Sequence, residues 1–296
     1  MTRIGLVGYG EVGRIFSAAL RSVVPQVAAW DLAFADPAVR EPALAHAAGQ
    51  GVQACSGVAE LCGRADLIIS AVTASSTLAV AEAVADHVAA GTFFLDLNSA
   101  SPGTKQAASA CIDAAGGRYV EAGVMTSVPP YGIRVPMLLG GPHAATLLPT
   151  LLAWDMQAQV VSDLVGVASA TKMCRSVMIK GLEALVIESY ATARHYGVEA
   201  AMVATLQETF PGIDWSRQGS YFFSRVALHG RRRAEEMREA ANTVREAGFE
   251  PFMAEAIARK HDWMADQARD GAFEHLPSEA DWSLLADALL QARQPD

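Results

Sequence analysis

Gly8, Gly10 and Gly13 fall in the run Gly8-Tyr9-Gly10-Glu11-Val12-Gly13, a G-x-G-x-x-G pattern. Such a run binds a dinucleotide when it follows a strand and opens a helix. The first glycine permits the tight turn, the second lets the backbone come up to a pyrophosphate, and the third lets the helix pack on the strand. The free N–H groups of the helix start then face the phosphates. Asp31 lies 18 residues after Gly13, close to the spacing of about 20 at which an acidic residue meets the ribose. A carboxylate there accepts the ribose hydroxyls of NAD and repels the 2′-phosphate of NADP. No Arg follows it, since the next residues are Leu32-Ala33-Phe34. A turn-capping role is the bland alternative for Asp31, and Asp36 is the rival acid.

The surrounding pattern supplies the elements that such a site needs. Residues 3–7, 27–30, 66–72 and 92–96 are short, β-branched or apolar runs, with further strands expected at 118–124 and 136–139. Helical stretches are expected at 11–23, 43–48 and 77–90. The alternation predicts parallel strands with helices on both faces. Beyond about residue 166 the chain turns helical. Residues 168–196 contain no Pro and one Gly, Gly181, which predicts one helix of roughly 30 residues, about 45 Å long. Further helices are expected at 200–209, 231–247, 251–270 and 281–293. The expected division is an N-terminal domain over 1–163 and an all-helical one over 164–296.

Composition narrows the function. The chain has 296 residues, 51% hydrophobic and 19% charged, which excludes disorder as the main state. Lys+Arg total 23 against Asp+Glu 32, a formal charge of -9, which argues against nucleic acid as partner. The four cysteines, Cys55, Cys62, Cys111 and Cys174, form no C-x-x-C pair, so neither a zinc site nor a disulfide framework is expected. Nothing at the N-terminus has the form of a signal peptide, and no apolar run reaches the ~20 residues of a membrane span. A cytoplasmic protein is expected.

Four segments together resemble the β-hydroxyacid dehydrogenases, the group that includes 3-hydroxyisobutyrate and 6-phosphogluconate dehydrogenases. They are residues 5–13, Asp96-Leu97-Asn98-Ser99-Ala100-Ser101-Pro102, Glu121-Ala122-Gly123-Val124-Met125-Thr126-Ser127, and Gly166-Val167-Ala168-Ser169-Ala170-Thr171-Lys172. The second is similar to the family's D-x-S-T-x-x-P, the third stands in place of D-A-P-V-S-G-G, and the fourth in place of G-x-G-x-x-x-K. The resemblance is greatest to a little-characterised branch with Lys-Met-Cys and Lys-Gly-Leu-Glu-Ala-Leu in the long helix.

That resemblance implies a Rossmann-type domain followed by an all-helical domain, joined through the long helix, with substrate in the cleft between them. It implies Lys172 as the catalytic acid/base. Val72, Thr73 and Asn98 would pass near the nicotinamide, and Ser99 near the substrate carboxylate. Asn98 and Ser99 could alternatively cap the helix that begins near Pro102. Met125, Thr126 and Ser127 depart from S-G-G and place a bulkier wall at the substrate. The Pro129-Pro130-Tyr131-Gly132 run stiffens the loop that follows. The family's Asn, one turn after the lysine, is replaced by Arg175-Ser176. Ser176 at i+4 could bond the substrate and Arg175 could pair with its carboxylate. As a like-charge neighbour Arg175 would also lower the pKa of Lys172. Lys180 has no assigned role. The Arg231-Arg232-Arg233 cluster would be a solvated face offset by Glu235, Glu236 and Glu239, or would lend one Arg to a substrate anion.

The function expected from all this is hydride transfer between NAD, NADP less so, and a hydroxy or keto acid, without a metal. A homodimer or homotetramer is expected, associating through the apolar helical half. An imine reductase-like enzyme and a non-catalytic dinucleotide-binding sensor are the alternatives; the presence of Lys172 speaks against both.

Overall fold

The computed structural model describes residues 2–277 and 279–292. Its N-terminal part is a sheet of β1 (Ile4–Val7), β2 (Val27–Trp30), β3 (Gln53–Ala54), β4 (Leu67–Ser70), β5 (Phe93–Asp96), β6 (Arg118–Val124), β7 (Met137–Gly140) and β8 (Ala158–Ser162). The spatial order is β3-β2-β1-β4-β5-β6-β7-β8. Between the strands run α1 (Glu11–Leu20), α2 (Arg40–Gly49), α3 (Val58–Arg64), α4 (Thr77–Ala85), α5 (Pro102–Ala114) and α6 (Ala144–Ala153). Successive strand residues enter opposite cores. Leu67 and Ile69 join Ile4, Leu6 and Leu95 on one face, and Ile68 joins Ala28, Phe94 and Tyr119 on the other. Burial on both faces is why these strands are near-continuous apolar runs.

The strands of the expected alternation, β1, β2, β4 and β5, are parallel, and one later pair departs from this. β6 and β7 are antiparallel, with Glu121 opposite Gly140. A parallel crossover needs a dozen or more residues, usually a helix. Here the connection is folded into tight turns, Tyr131 N and Gly132 N both donating to Val128 O. Helices α3 and α6 and strands β3 and β8 are additions to the expected elements, and α5 is the helix expected to begin near Pro102. The start of α5 is signalled by Ser101, whose Oγ accepts from Thr104 N at 3.3 Å, followed by Pro102; neither Asn98 nor Ser99 is the cap.

Helix α7 (Val167–Tyr196) runs for 30 residues. The described chain divides into two compact units between Cys174 and Arg175, so the first two turns of α7 belong with the sheet. The second unit holds the rest of α7, then α8 (Glu199–Thr209), α9 (Trp215–Glu246), α10 (Phe252–Arg269) and α11 (Trp282–Gln291). Its core gathers Ile187, Tyr190, Phe223, Val226, Met264 and Leu289. α9 begins 16 residues before the expected start at 231. Its glycines are contact points rather than breaks, since a Cβ on Gly219 would stand 2.7 Å from the Tyr190 ring. Arg293, the expected end of the last helix, lies outside the described residues.

Candidate active site

The glycine turn is built against the ends of two neighbouring strands. Gly8 adopts φ +94°, and a Cβ there would stand 2.3 Å from Ala71 O. A Cβ on Gly13 would stand 2.1 Å from Gly8 O, so only glycine lets α1 come this close. Gly10 faces open space and is the N-cap of α1, with no side chain to occupy the first-turn amides. That opening, at an uncapped helix N-terminus, suits a diphosphate. Tyr9 is buried against Phe34 and His46, its hydroxyl 3.2 Å from His46 Nδ1. Glu11 is exposed and Val12 half-buried.

Asp31 is tied into this turn. Its Oδ2 accepts from Tyr9 N at 2.6 Å and its Oδ1 from Ala33 N at 2.8 Å. Asp36 instead caps a local exposed turn through Ala38 N. Asp31 thus both closes the turn and stands at the glycine loop, with a second lone pair on each oxygen left for a sugar hydroxyl.

Asn98 joins the next two loops. Its Oδ1 accepts from Val72 N at 2.7 Å and its Nδ2 donates to Ser70 Oγ at 2.9 Å. Asn98 is buried, while Thr73 is exposed and bonded to Ser75 and Ser76. Ser99 follows, half-buried, and accepts from Lys172 Nζ at 2.5 Å. Lys172 reaches it because Gly123 lets α7 approach β6; a Cβ on Gly123 would stand 3.0 Å from Ala168 O and 3.7 Å from Lys172 Cβ. Val72, Asn98, Ser99 and Lys172 are therefore brought together at the carboxyl ends of β4, β5 and β6, where open α/β sheets take their ligands.

Two buried acids support this arrangement and were not singled out from the sequence. Asp96 accepts from Lys105 Nζ at 2.9 Å, Tyr119 Oη at 2.7 Å and Asn98 N at 2.9 Å. Burial, and then Asp96 itself, push the Tyr119 phenol well above its ordinary pKa. Glu121 Oε1 accepts from Gly166 N at 2.8 Å and Ala168 N at 3.0 Å, and Oε2 from Ser169 Oγ at 2.9 Å. Gly140 makes room for it, since a Cβ there would stand 2.3 Å from Glu121 Oε1. The available signals were the lone Lys105 three residues after Pro102 and an acid at the start of the third motif.

The remaining predicted residues lie as follows. Met125 and Ser127 are half-buried and Thr126 is exposed. Arg175 and Ser176 belong to the second unit. Arg175 is exposed, whereas Ser176 is buried and accepts from Lys180 Nζ at 3.2 Å. Lys180, without an expected role, is itself buried and pairs with Glu236 at 2.8 Å. For Arg231 and Arg233 the expected charge partners need correction. Arg233 is buried and bonded to Glu183, its Nε 2.8 Å from Oε2, and Arg231 pairs with Asp262 and Asp266. The partners come from other helices because α9 turns this stripe toward α7 and α10. Among the described residues no group of three or more His, Cys, Asp or Glu could hold a metal ion.

Comparison with known proteins accords with this geometry. Residues 3–144 match the NAD binding domain of 6-phosphogluconate dehydrogenase, and residues 193–264 match a domain of unknown function, DUF1932. A conserved hypothetical protein from Sinorhizobium meliloti is 37% identical, with 98% of this chain and 96% of that one covered and a TM-score of 0.76. A conserved protein of unknown function, described as structurally similar to 3-hydroxyacid dehydrogenases, is 29% identical over 90% of this chain and 98% of its own, with a TM-score of 0.69. The chain belongs to one family with the Sinorhizobium meliloti protein, and its N-terminal part is an NAD binding domain of the kind found in 6-phosphogluconate dehydrogenase. The Mycobacterium tuberculosis 3-hydroxyisobutyrate dehydrogenase shares the fold, at 18% identity over 98% of this chain and 99% of that one, with a TM-score of 0.68. The match over residues 3–144 gives the protein an NAD-binding domain. No described helix is long and apolar enough to cross a membrane.

Proposed function

We propose that this family member oxidises the hydroxyl of a small hydroxy acid, or reduces the corresponding keto acid, with NAD preferred over NADP. The observation that carries the reading is the contact of Lys172 Nζ with Ser99 Oγ, at the same sheet end as the glycine turn. The nicotinamide, when bound, takes or supplies the hydride. Gly8, Gly10 and Gly13, with the first turn of α1, receive the diphosphate, and Asp31 receives the ribose hydroxyls. Val72 and Asn98 shape the nicotinamide side. Lys172 takes the hydroxyl proton as the neutral amine during oxidation and returns it from the ammonium during reduction, and Ser99 Oγ holds Nζ in line. Met125 and Ser127 wall the substrate.

Assembly into a dimer, or a tetramer of dimers, through the helical unit is part of the same reading. It is supported by apolar side chains left open there, among them Leu228 at 75% and Phe252 at 73% exposure. A cytoplasmic location belongs with it. The test of function is NADH consumption over a panel of keto acids and cyclic imines. Turnover on a keto acid supports the proposal. Turnover confined to imines, or NADH binding without turnover on any member, overturns it.

A further inference from the structure

Asp96 and Glu121 are register partners on β5 and β6, and both side chains are fully buried. Two acids side by side in a dry sheet end are costly. Such groups are weak devices for stability, because apolar residues of similar volume commonly serve as well. Their partners show what they do instead. Asp96 holds the backbone N–H of Asn98, one residue before Ser99, and is itself fixed by Lys105 and Tyr119. The Tyr119 ring is stacked on Phe94 at 5.9 Å, which fixes its hydroxyl. Glu121 holds the amides of Gly166, Ala168 and Ser169 at the start of α7, and Ser169 lies one turn before Lys172. One acid therefore anchors the segment carrying Ser99, and its neighbour anchors the segment carrying Lys172.

We infer that Asp96 and Glu121 are a positioning pair that sets the Ser99–Lys172 contact. The inference rests on the reading of Lys172 as the acid/base for its catalytic meaning, but not for its geometry. Glu121→Gln replaces one acceptor oxygen by an amide donor facing N–H groups, so the start of α7 shifts. It also removes a negative charge one turn from Lys172, which favours the neutral amine. Tyr119→Phe removes one donor to Asp96 and leaves every charge in place.

The test measures carbamylation of Lys172 by cyanate across pH in the cofactor-free protein, followed by peptide mass spectrometry, because cyanate reacts with the neutral amine. Thermal melts establish folding. In folded Glu121→Gln the midpoint should move to lower pH by at least about half a unit, and kcat should fall about tenfold or more with the KM for NADH within about threefold. Tyr119→Phe, the variant that keeps the fold if Glu121→Gln does not, should lower kcat several-fold with the same unchanged KM. An unmoved labelling midpoint in folded Glu121→Gln overturns the inference. So does wild-type kcat in Tyr119→Phe. Lys172→Ala separates the two claims: full turnover in that variant removes the acid/base reading, while a labelling midpoint left unmoved in Tyr119→Phe, which keeps every charge, would still overturn the positioning.

Discussion

Lys172 Nζ meets Ser99 Oγ at 2.5 Å across 73 residues of sequence. Ser99 follows β5 and Lys172 lies on α7, and the buried Asp96 and Glu121 bond the segments that carry them. Lys172→Ala should lower kcat by roughly 10²–10⁴, the range for loss of a general acid/base. NADH affinity should change little, because the diphosphate and ribose contacts lie at the glycine turn. Lys172→Arg should not restore turnover, since a guanidinium stays protonated. Steady-state kinetics with NADH titration checks this, and an Ala variant keeping more than about a tenth of the activity would leave the mechanism without its base.

Asp31 makes the second prediction. NAD should be preferred over NADP by at least about tenfold, or about 1.4 kcal/mol. Comparing kcat/KM for the two cofactors decides it, and equal efficiency removes the ribose role from Asp31. Asp31→Asn should narrow the preference while keeping an acceptor for one of the two amides.

The buried Arg233–Glu183 pair in the helical unit makes the third. Arg233→Met leaves a carboxylate buried without its charge partner, at a cost of about 3–5 kcal/mol. Replacing both, Glu183→Leu with Arg233→Met, should recover most of that. Denaturant unfolding measures both variants, and a double variant no more stable than the single one speaks against the pair as the cause.

His261 gives the stability a pH dependence. It is fully buried, and among the described residues neither ring nitrogen has a partner at good hydrogen-bond geometry. Burial, then the Arg233 and Lys180 cations, pull its pKa down to about 3, while Glu236 acts the other way; Glu183 Oε2 stands 3.8 Å from Nε2. The unfolded chain, with an ordinary histidine near 6.5, therefore takes up the proton first. Stability from this group is complete above about pH 6.5 and is lost as pH falls from there toward 3. Against the wild type, His261→Leu should flatten the stability–pH slope between about pH 4 and 6 by up to about 1.4 kcal/mol per pH unit. Urea midpoints at several pH values check it, and parallel slopes for the two proteins would count against it.

Association is the fifth expectation. Light scattering at micromolar concentration should give at least twice the 31.2 kDa chain mass. A monomer mass would remove the helical unit as a self-association surface.

Much of the site was legible because its signals are local. Gly8 to Gly13 carry their meaning in adjacent residues, and β6 spans the expected 118–124. Other parts were hidden because their causes are distant. Lys105 resembles any surface lysine until Asp96 is placed beside it. Glu121 is one strand residue among several, and its partners lie 45 to 48 residues later. β8 is a short, half-buried edge strand with a weak pattern. The first half of α9 was concealed by Gly219 and Gly230, which break a helix in isolation but here admit the Tyr190 ring and the His261 carbonyl.

The two bonds of Asp31 bear on how this protein could change over evolutionary time. On the proposed reading one carboxylate both recognises the cofactor and fastens Tyr9 N and Ala33 N. A single replacement that admitted an extra phosphate would also leave at least one of these two backbone amides without its acceptor. A lineage moving toward the phosphorylated dinucleotide would therefore need a compensating change in the same turn, and one-step cofactor switches should be rare among the descendants of this sequence.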